Sequence, residues 1–128
     1  MADKTATVHW EGQGKKGVGK ISTETDALKS YPYGFGSRFE DDRRGTNPEE
    51  LLAAAHAACF TMAFSFACDG AGFATSAVDT QASVRLVAKG GGFLLRIHAV
   101  TSKDATICNG CKSSQIVASW CKALSRMG

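Results

Sequence analysis

The sequence predicts an α+β fold in which antiparallel sheet packs on one long central helix. Three observations carry that prediction. Residues 78–89 alternate between apolar and polar, turn at Gly90-Gly91-Gly92 and return over 93–102. Two short runs rich in β-formers stand near the start, and one long apolar segment follows a helix-start signature at 46–50. At 128 residues, the chain has the size of one ordinary domain, so 1–128 is taken as a single unit. With 44% hydrophobic and 21% charged residues, disordered and fibrous classes drop out.

In chain order, residues 5–10 and 17–23 read as a hairpin around the glycine-rich 11–16. Residues 24–45 sustain no period and hold the aromatic run Tyr31-Pro32-Tyr33-Gly34-Phe35, so a long loop is expected there. At 46–50, Asn47 is placed to cap, Pro48 fits the first helical position, and Glu50 stands three after the cap as in a capping box. The following 51–67 is apolar nearly all round, which predicts a helix buried mid-fold, ending near Asp69-Gly70 with the glycine in left-handed conformation. Then come the second hairpin and a short helical segment over 112–123.

Composition also bounds partners and compartment. The net charge is +3 with basic residues spread along the chain, so nucleic acid is not an expected partner. The apolar stretch 51–67 contains His56 and is shorter than the roughly 20 residues a bilayer span needs, so no membrane span is expected. Met1-Ala2-Asp3-Lys4 leads into Thr5-Ala6-Thr7-Val8 with no apolar leader, and the cytoplasm is the expected compartment. An odd number of cysteines, five, argues against a static disulfide framework there.

Several strings invite chemistry. Gly12-Gln13-Gly14-Lys15-Lys16-Gly17 matches a dinucleotide-binding glycine pattern, but strand rather than helix follows it, so it reads as a hairpin connection. Cys108 and Cys111 lack a second ligand pair for zinc and a parallel βαβ setting for thioredoxin-like redox work. Cys68 is out of phase with Cys59 on an ideal helix and reads as core packing. Cys59 sits mid-helix among small neighbours. Its plain reading is a core cysteine; a reactive one needs a cation brought from outside its helix, from Arg38, Arg43 or Arg44, with Glu49 available to orient it. His56, three residues before Cys59, could instead form a hydrolase-like dyad, yet no acid is evident to orient it.

The segments Tyr33-Gly34-Phe35-Gly36-Ser37-Arg38-Phe39-Glu40, Gly45-Thr46-Asn47-Pro48-Glu49-Glu50-Leu51 and Ala53-Ala54-Ala55-His56-Ala57-Ala58-Cys59-Phe60 closely resemble the osmotically inducible protein C branch of the OsmC/Ohr family. Trp10-Glu11-Gly12 and Ser22-Thr23-Glu24 fit the same branch, and the likeness runs over about 5–102. The resemblance implies a cysteine-based peroxidase that reduces organic hydroperoxides, and hydrogen peroxide less efficiently, working as an intertwined homodimer. It implies Cys59 as the peroxidatic cysteine, Arg38 holding it as thiolate, and Glu49 pairing with Arg38. Phe35, Phe39 and Phe60 are candidates for the apolar surroundings of an alkyl or lipid hydroperoxide. No bound cofactor is implied; an external dithiol is expected to supply electrons.

The last quarter departs from the family pattern. A resolving cysteine is expected, and Cys111 keeps a matching Ser114-Gln115-Ile116 flank but follows Cys59 too closely in sequence; Cys121 is better spaced and lacks the flank. Cys111 is the preferred candidate, on an atypical, shortened C-terminus. The alternative function is a thiol redox sensor or binding module on the same fold, without turnover. A homodimer is also expected on helix geometry, because Glu49 and Cys59 lie about 15 Å apart along one continuous helix.

Overall fold

The computed structural model describes residues 3–72, 74 and 77–103, the last seven by their backbone. The chain divides into two compact units, Met1–Leu52 and Ala53–Gly128, and the division falls within the long helix.

The first unit is built on a three-stranded antiparallel sheet in the order β1-β2-β3. Strand β1 (Ala6–Glu11) pairs with β2 (Val18–Thr23), Ala6 opposite Thr23 and Glu11 opposite Val18. The glycine-rich connection carries a short 3-10 turn at Gly14–Lys16 and a left-handed Gly12 (φ 91°). Strand β3 (Tyr31–Gly34) pairs with β2 where a loop was expected. Four residues containing a proline are too few to show a period, and β3 is an edge strand, which tolerates the missing N–H of Pro32. The ring of Tyr33 lies over Gly19 and that of Trp10 over Gly17, so any side chain at either glycine would displace an aromatic. The two rings meet at 5.5 Å between centroids, tilted by 55°.

A second departure from the expected loop follows directly. Helix α1 (Phe35–Phe39) is one turn long, and Ser37 Oγ accepts the backbone N–H of Gly34 at 3.0 Å. The chain then returns so that Thr46 N–H donates to the Pro32 carbonyl at 3.0 Å, bridging β3. Gly45 makes that return possible, since a Cβ there would lie 2.5 Å from the Pro32 carbonyl oxygen.

Helix α2 (Pro48–Gly70) begins as the sequence predicts: Asn47 Oδ1 accepts the Glu50 N–H at 2.8 Å. The Glu50 carboxylate accepts the Thr46 hydroxyl at 3.1 Å, a variation on the expected capping box. At the other end Gly72 (φ 80°), not Gly70, takes the left-handed conformation, with its N–H on the Asp69 carbonyl at 2.9 Å.

The expectation that α2 is buried all round is corrected. Phe60, Phe64 and Cys68 form one buried row at four-residue spacing, while Leu52, Met62 and Phe66 are 45%, 60% and 69% exposed. Apolar content predicted burial on every side, but among the described residues burial of the helix's apolar side chains is confined to that row. By length and composition, α2 is also long and apolar enough to cross a membrane, which the shorter count over 51–67 did not allow.

In the second unit, β4 (Asp79–Lys89) and β5 (Gly92–Lys103) form the predicted hairpin. Gly90 and Gly91 are both left-handed (φ 59° and 81°), the two-residue turn that matches strand twist. Thr80, Ala82, Val84 and Leu86 are the more covered residues and Gln81, Ser83 and Arg85 the exposed ones, as the alternation requires. Thr61 on α2 lies 2.6 Å from the Thr80 hydroxyl and 2.8 Å from the Ala57 carbonyl. One hydroxyl hydrogen cannot serve both, so Thr61 donates to Ala57 and accepts from Thr80, tying α2 to β4.

Gly45→Ala should destabilise the chain by about 1–3 kcal/mol, because the obstacle is backbone and cannot rotate away. Denaturant midpoints compared with Gly36→Ala, whose Cβ would first meet the Asp42 side chain at 3.3 Å, measure it, and the Gly45 variant should be the weaker.

Candidate functional site

The site starts from a carboxylate that has lost its water. Glu49 is 9% exposed in the first turn of α2. Arg38, on α1, answers it: Nε and Nη2 both donate to Oε1, at 3.2 and 2.9 Å. The helix N-terminus adds a favourable partial charge on the same carboxylate. The guanidinium carbon lies 5.3 Å from the centre of the Phe39 ring, and Phe35 and Phe39 pack at 4.9 Å.

The geometry separates the three candidate arginines. Arg44 is committed to Asp42 by two bonds of 2.9 Å, Nε to Oδ1 and Nη2 to Oδ2, which hold the Asp42 carboxyl at about 2. Arg43 approaches Asp41 at 3.8 Å with both side chains almost wholly in water, an arrangement worth little. Arg38 alone of the three pairs with a buried carboxylate. Beside α1, Lys15 (4.9 Å from the Phe35 ring), Tyr33, Phe35, Ser37, Asp42 and Arg44 line a cavity of about 350 Å³ that excludes both Arg38 and Glu49.

The thiol sits on the other unit. Cys59 is a free thiol exposed on α2, not the core cysteine of the plain reading, while Cys68 is fully buried. His56 is half-buried on the same helix. Thus Arg38 and Glu49 are brought together, Cys59 is presented to the outside of its own chain, and Cys111 and Cys121 lie outside the described residues.

Sequence reasoning missed the scaffold that holds Arg38. Ser37 Oγ donates to the Thr46 carbonyl at 2.8 Å, and Asn47 Nδ2 donates to the Ser37 carbonyl at 3.0 Å. The sequence shows Asn47 as a cap, which uses its oxygen; the target of its nitrogen lies on α1, a single turn that no local period announces.

With this geometry in hand, the chain belongs to the OsmC-like protein family, whose profile matches residues 39–115. It is 48% identical over 102 residues to Peroxiredoxin OsmC of Escherichia coli (strain K12), covering 80% of this chain and 71% of that protein. Peroxiredoxin OsmC of Shigella flexneri matches to the same extent. The crystal structure of the organic hydroperoxide resistance protein OhrB of Bacillus subtilis shares the fold at a TM-score of 0.66 and 24% identity, over 89% of this chain and 81% of that one.

Arg38→Met should lower stability by about 1–3 kcal/mol, the cost of leaving a buried carboxylate unpaired. Adding Glu49→Gln should recover part of the loss. Urea unfolding of the two single variants and the double variant checks this, and an additive double variant would mean the pair is not coupled.

Proposed function

We propose that the chain is a thiol-dependent peroxidase that reduces organic hydroperoxides to alcohols, with Cys59 as the attacking sulfur and Arg38, oriented by Glu49, as the cation that serves it. The observation that carries this reading is the buried Glu49 gripping Arg38 in a chain that presents a free thiol at Cys59. The relatives' name, Peroxiredoxin OsmC, and the hydroperoxide resistance of OhrB support the same chemistry.

In the proposed step the Cys59 thiolate attacks the terminal peroxide oxygen. The S–O bond forms as the O–O bond breaks, sulfur is oxidised to sulfenic acid, and the departing alkoxide takes a proton to become the alcohol. A guanidinium favours thiolate over thiol and stabilises charge developing on the leaving oxygen. A second thiol, for which we favour Cys111, then condenses with the sulfenic acid and releases water. An external dithiol of a reducing cytoplasm restores both thiols, with no resident cofactor.

The working form we propose is a homodimer. Leu52, Ala55, Cys59, Met62 and Phe66 are exposed along α2 at alternating spacings of three and four, the pattern of a helix seam that meets another helix. Two such helices packed antiparallel bring the start of one near the middle of the other, so Arg38 and Glu49 can serve the opposite Cys59.

Cys59→Ser should abolish dithiol-dependent consumption of cumene hydroperoxide, and Arg38→Ala should slow both consumption and Cys59 alkylation at neutral pH. A protein that consumes about one equivalent per Cys59 and then stops, with dithiol present, would be a sensor rather than a peroxidase. Peptide mapping after one equivalent should find Cys59 joined to Cys111; a bond to Cys121, or none within the chain, overturns that choice.

Phe66→Glu should shift sedimentation from dimer to monomer. Full activity in a monomeric protein would defeat the shared-site arrangement.

A further inference from the structure

We infer that Asn47 is a positioning residue for Arg38, acting through its side-chain amide independently of its role as the cap of α2. The inference rests on the proposed function, since it concerns how the cation of that reaction is held.

Asn47 uses its two polar atoms in opposite directions. Its Oδ1 accepts the Glu50 N–H at 2.8 Å and starts α2, whereas its Nδ2 donates to the Ser37 carbonyl at 3.0 Å, across to α1. Ser37 directly precedes Arg38 in the chain, so the tether acts on the peptide unit from which the guanidinium projects. The same peptide region is held from its other side by Ser37 Oγ, which donates to the Thr46 carbonyl at 2.8 Å and accepts the Gly34 N–H at 3.0 Å. Thr46 is buried, at 5% exposure, so its carbonyl is a fixed anchor.

Helix α1 needs such support. A helix of five residues is far below the length that is stable by itself, and its ends leave more backbone groups without helical partners than it satisfies. Meanwhile Arg38 reaches only one oxygen of Glu49, through Nε and Nη2, a contact that fixes the plane of the guanidinium only if the backbone behind it is fixed too. Asn47 therefore links the two ends of the ion pair: it starts the helix that presents Glu49 and clamps the turn that presents Arg38. Aspartate or serine caps a helix about as well as asparagine, but aspartate has no amide hydrogens to give and serine does not reach. The cap and the tether can therefore be separated.

The test measures the rate of Cys59 oxidation by cumene hydroperoxide, and the pH profile of Cys59 alkylation, in the full-length protein. Asn47→Asp and Asn47→Ser are each made alone and in an Arg38→Gln background, with far-UV circular dichroism confirming folding at the assay temperature. Both single variants should slow oxidation about tenfold to a hundredfold, the scale of a displaced catalytic group. Neither should slow it further once Arg38 is gone. If Arg38→Gln slows oxidation but both Asn47 variants react like wild type, the positioning role is wrong while the function stands. If the Asn47 variants cost as much in the Arg38→Gln background as in wild type, or fail to fold, Asn47 is merely structural. Loss with aspartate but not serine would assign the effect to the new charge and overturn the tether. Unchanged oxidation in Arg38→Gln itself would overturn the proposed reaction and this inference with it.

Discussion

A carboxylate buried in the first turn of a helix is the constraint around which the first unit is arranged. Taking Glu49 out of water costs several kcal/mol unless the charge is answered, and the answer must come from outside α2, because a helix N-terminus supplies only about half a unit charge. Arg38 provides the rest. To place it, the chain leaves β3, makes one turn of helix, passes through five exposed or half-exposed charged residues and returns beside Pro32. Gly45, Thr46 and Ser37 read as requirements of that path: a glycine where backbones nearly touch, a buried threonine as anchor and a serine that closes the turn.

A different imbalance governs α2. Its residues are apolar on nearly every side, yet among the described residues its buried apolar side chains are the single row Phe60, Phe64 and Cys68. Met62 and Phe66, 60% and 69% exposed, forfeit roughly 1–2 kcal/mol each relative to full burial, a large amount beside the marginal stability of a small domain. Such a surface is tolerated where something else covers it. Exposed Cys59 lies on that same side, so in the proposed dimer the helix that covered it would also decide which groups reach the sulfur.

Much of this was legible beforehand, for reasons that can be stated. The second hairpin carried a strict period of two closed by glycines, and α2 carried a cap, a proline and a long apolar run, signals that depend on neighbours in sequence. Arg38, Glu49 and Cys59 were legible as candidate chemistry, but only a family resemblance, not spacing, singled out Arg38 from Arg43 and Arg44. What stayed hidden depended on contacts far along the chain. β3 is a strand because β2 pairs with it, α1 exists because Asn47 and Ser37 hold it, and the left-handed residue after α2 fell two positions beyond the expected glycine. The exposed side of α2 is hidden in the sequence for a related reason: hydrophobicity favours covering a surface and is silent about whether the chain itself does so.

The form of the ion pair also bears on why the residue is arginine. A lysine could neutralise Glu49, but as a point charge it would be consumed by the contact and would fix no direction. Arg38 engages Oε1 through Nε and Nη2 along one edge of its plane, and among the described residues Nη1 has no hydrogen-bond partner. With the Arg38 backbone held, this contact leaves Nη1 with both its N–H groups for a reacting atom of the proposed reaction. The contact is to a single carboxylate oxygen, where Asp42 takes up Arg44 through both, yet the same two nitrogens donate in each pair, so the edge of the guanidinium that carries Nη1 stays clear of the carboxylate in both.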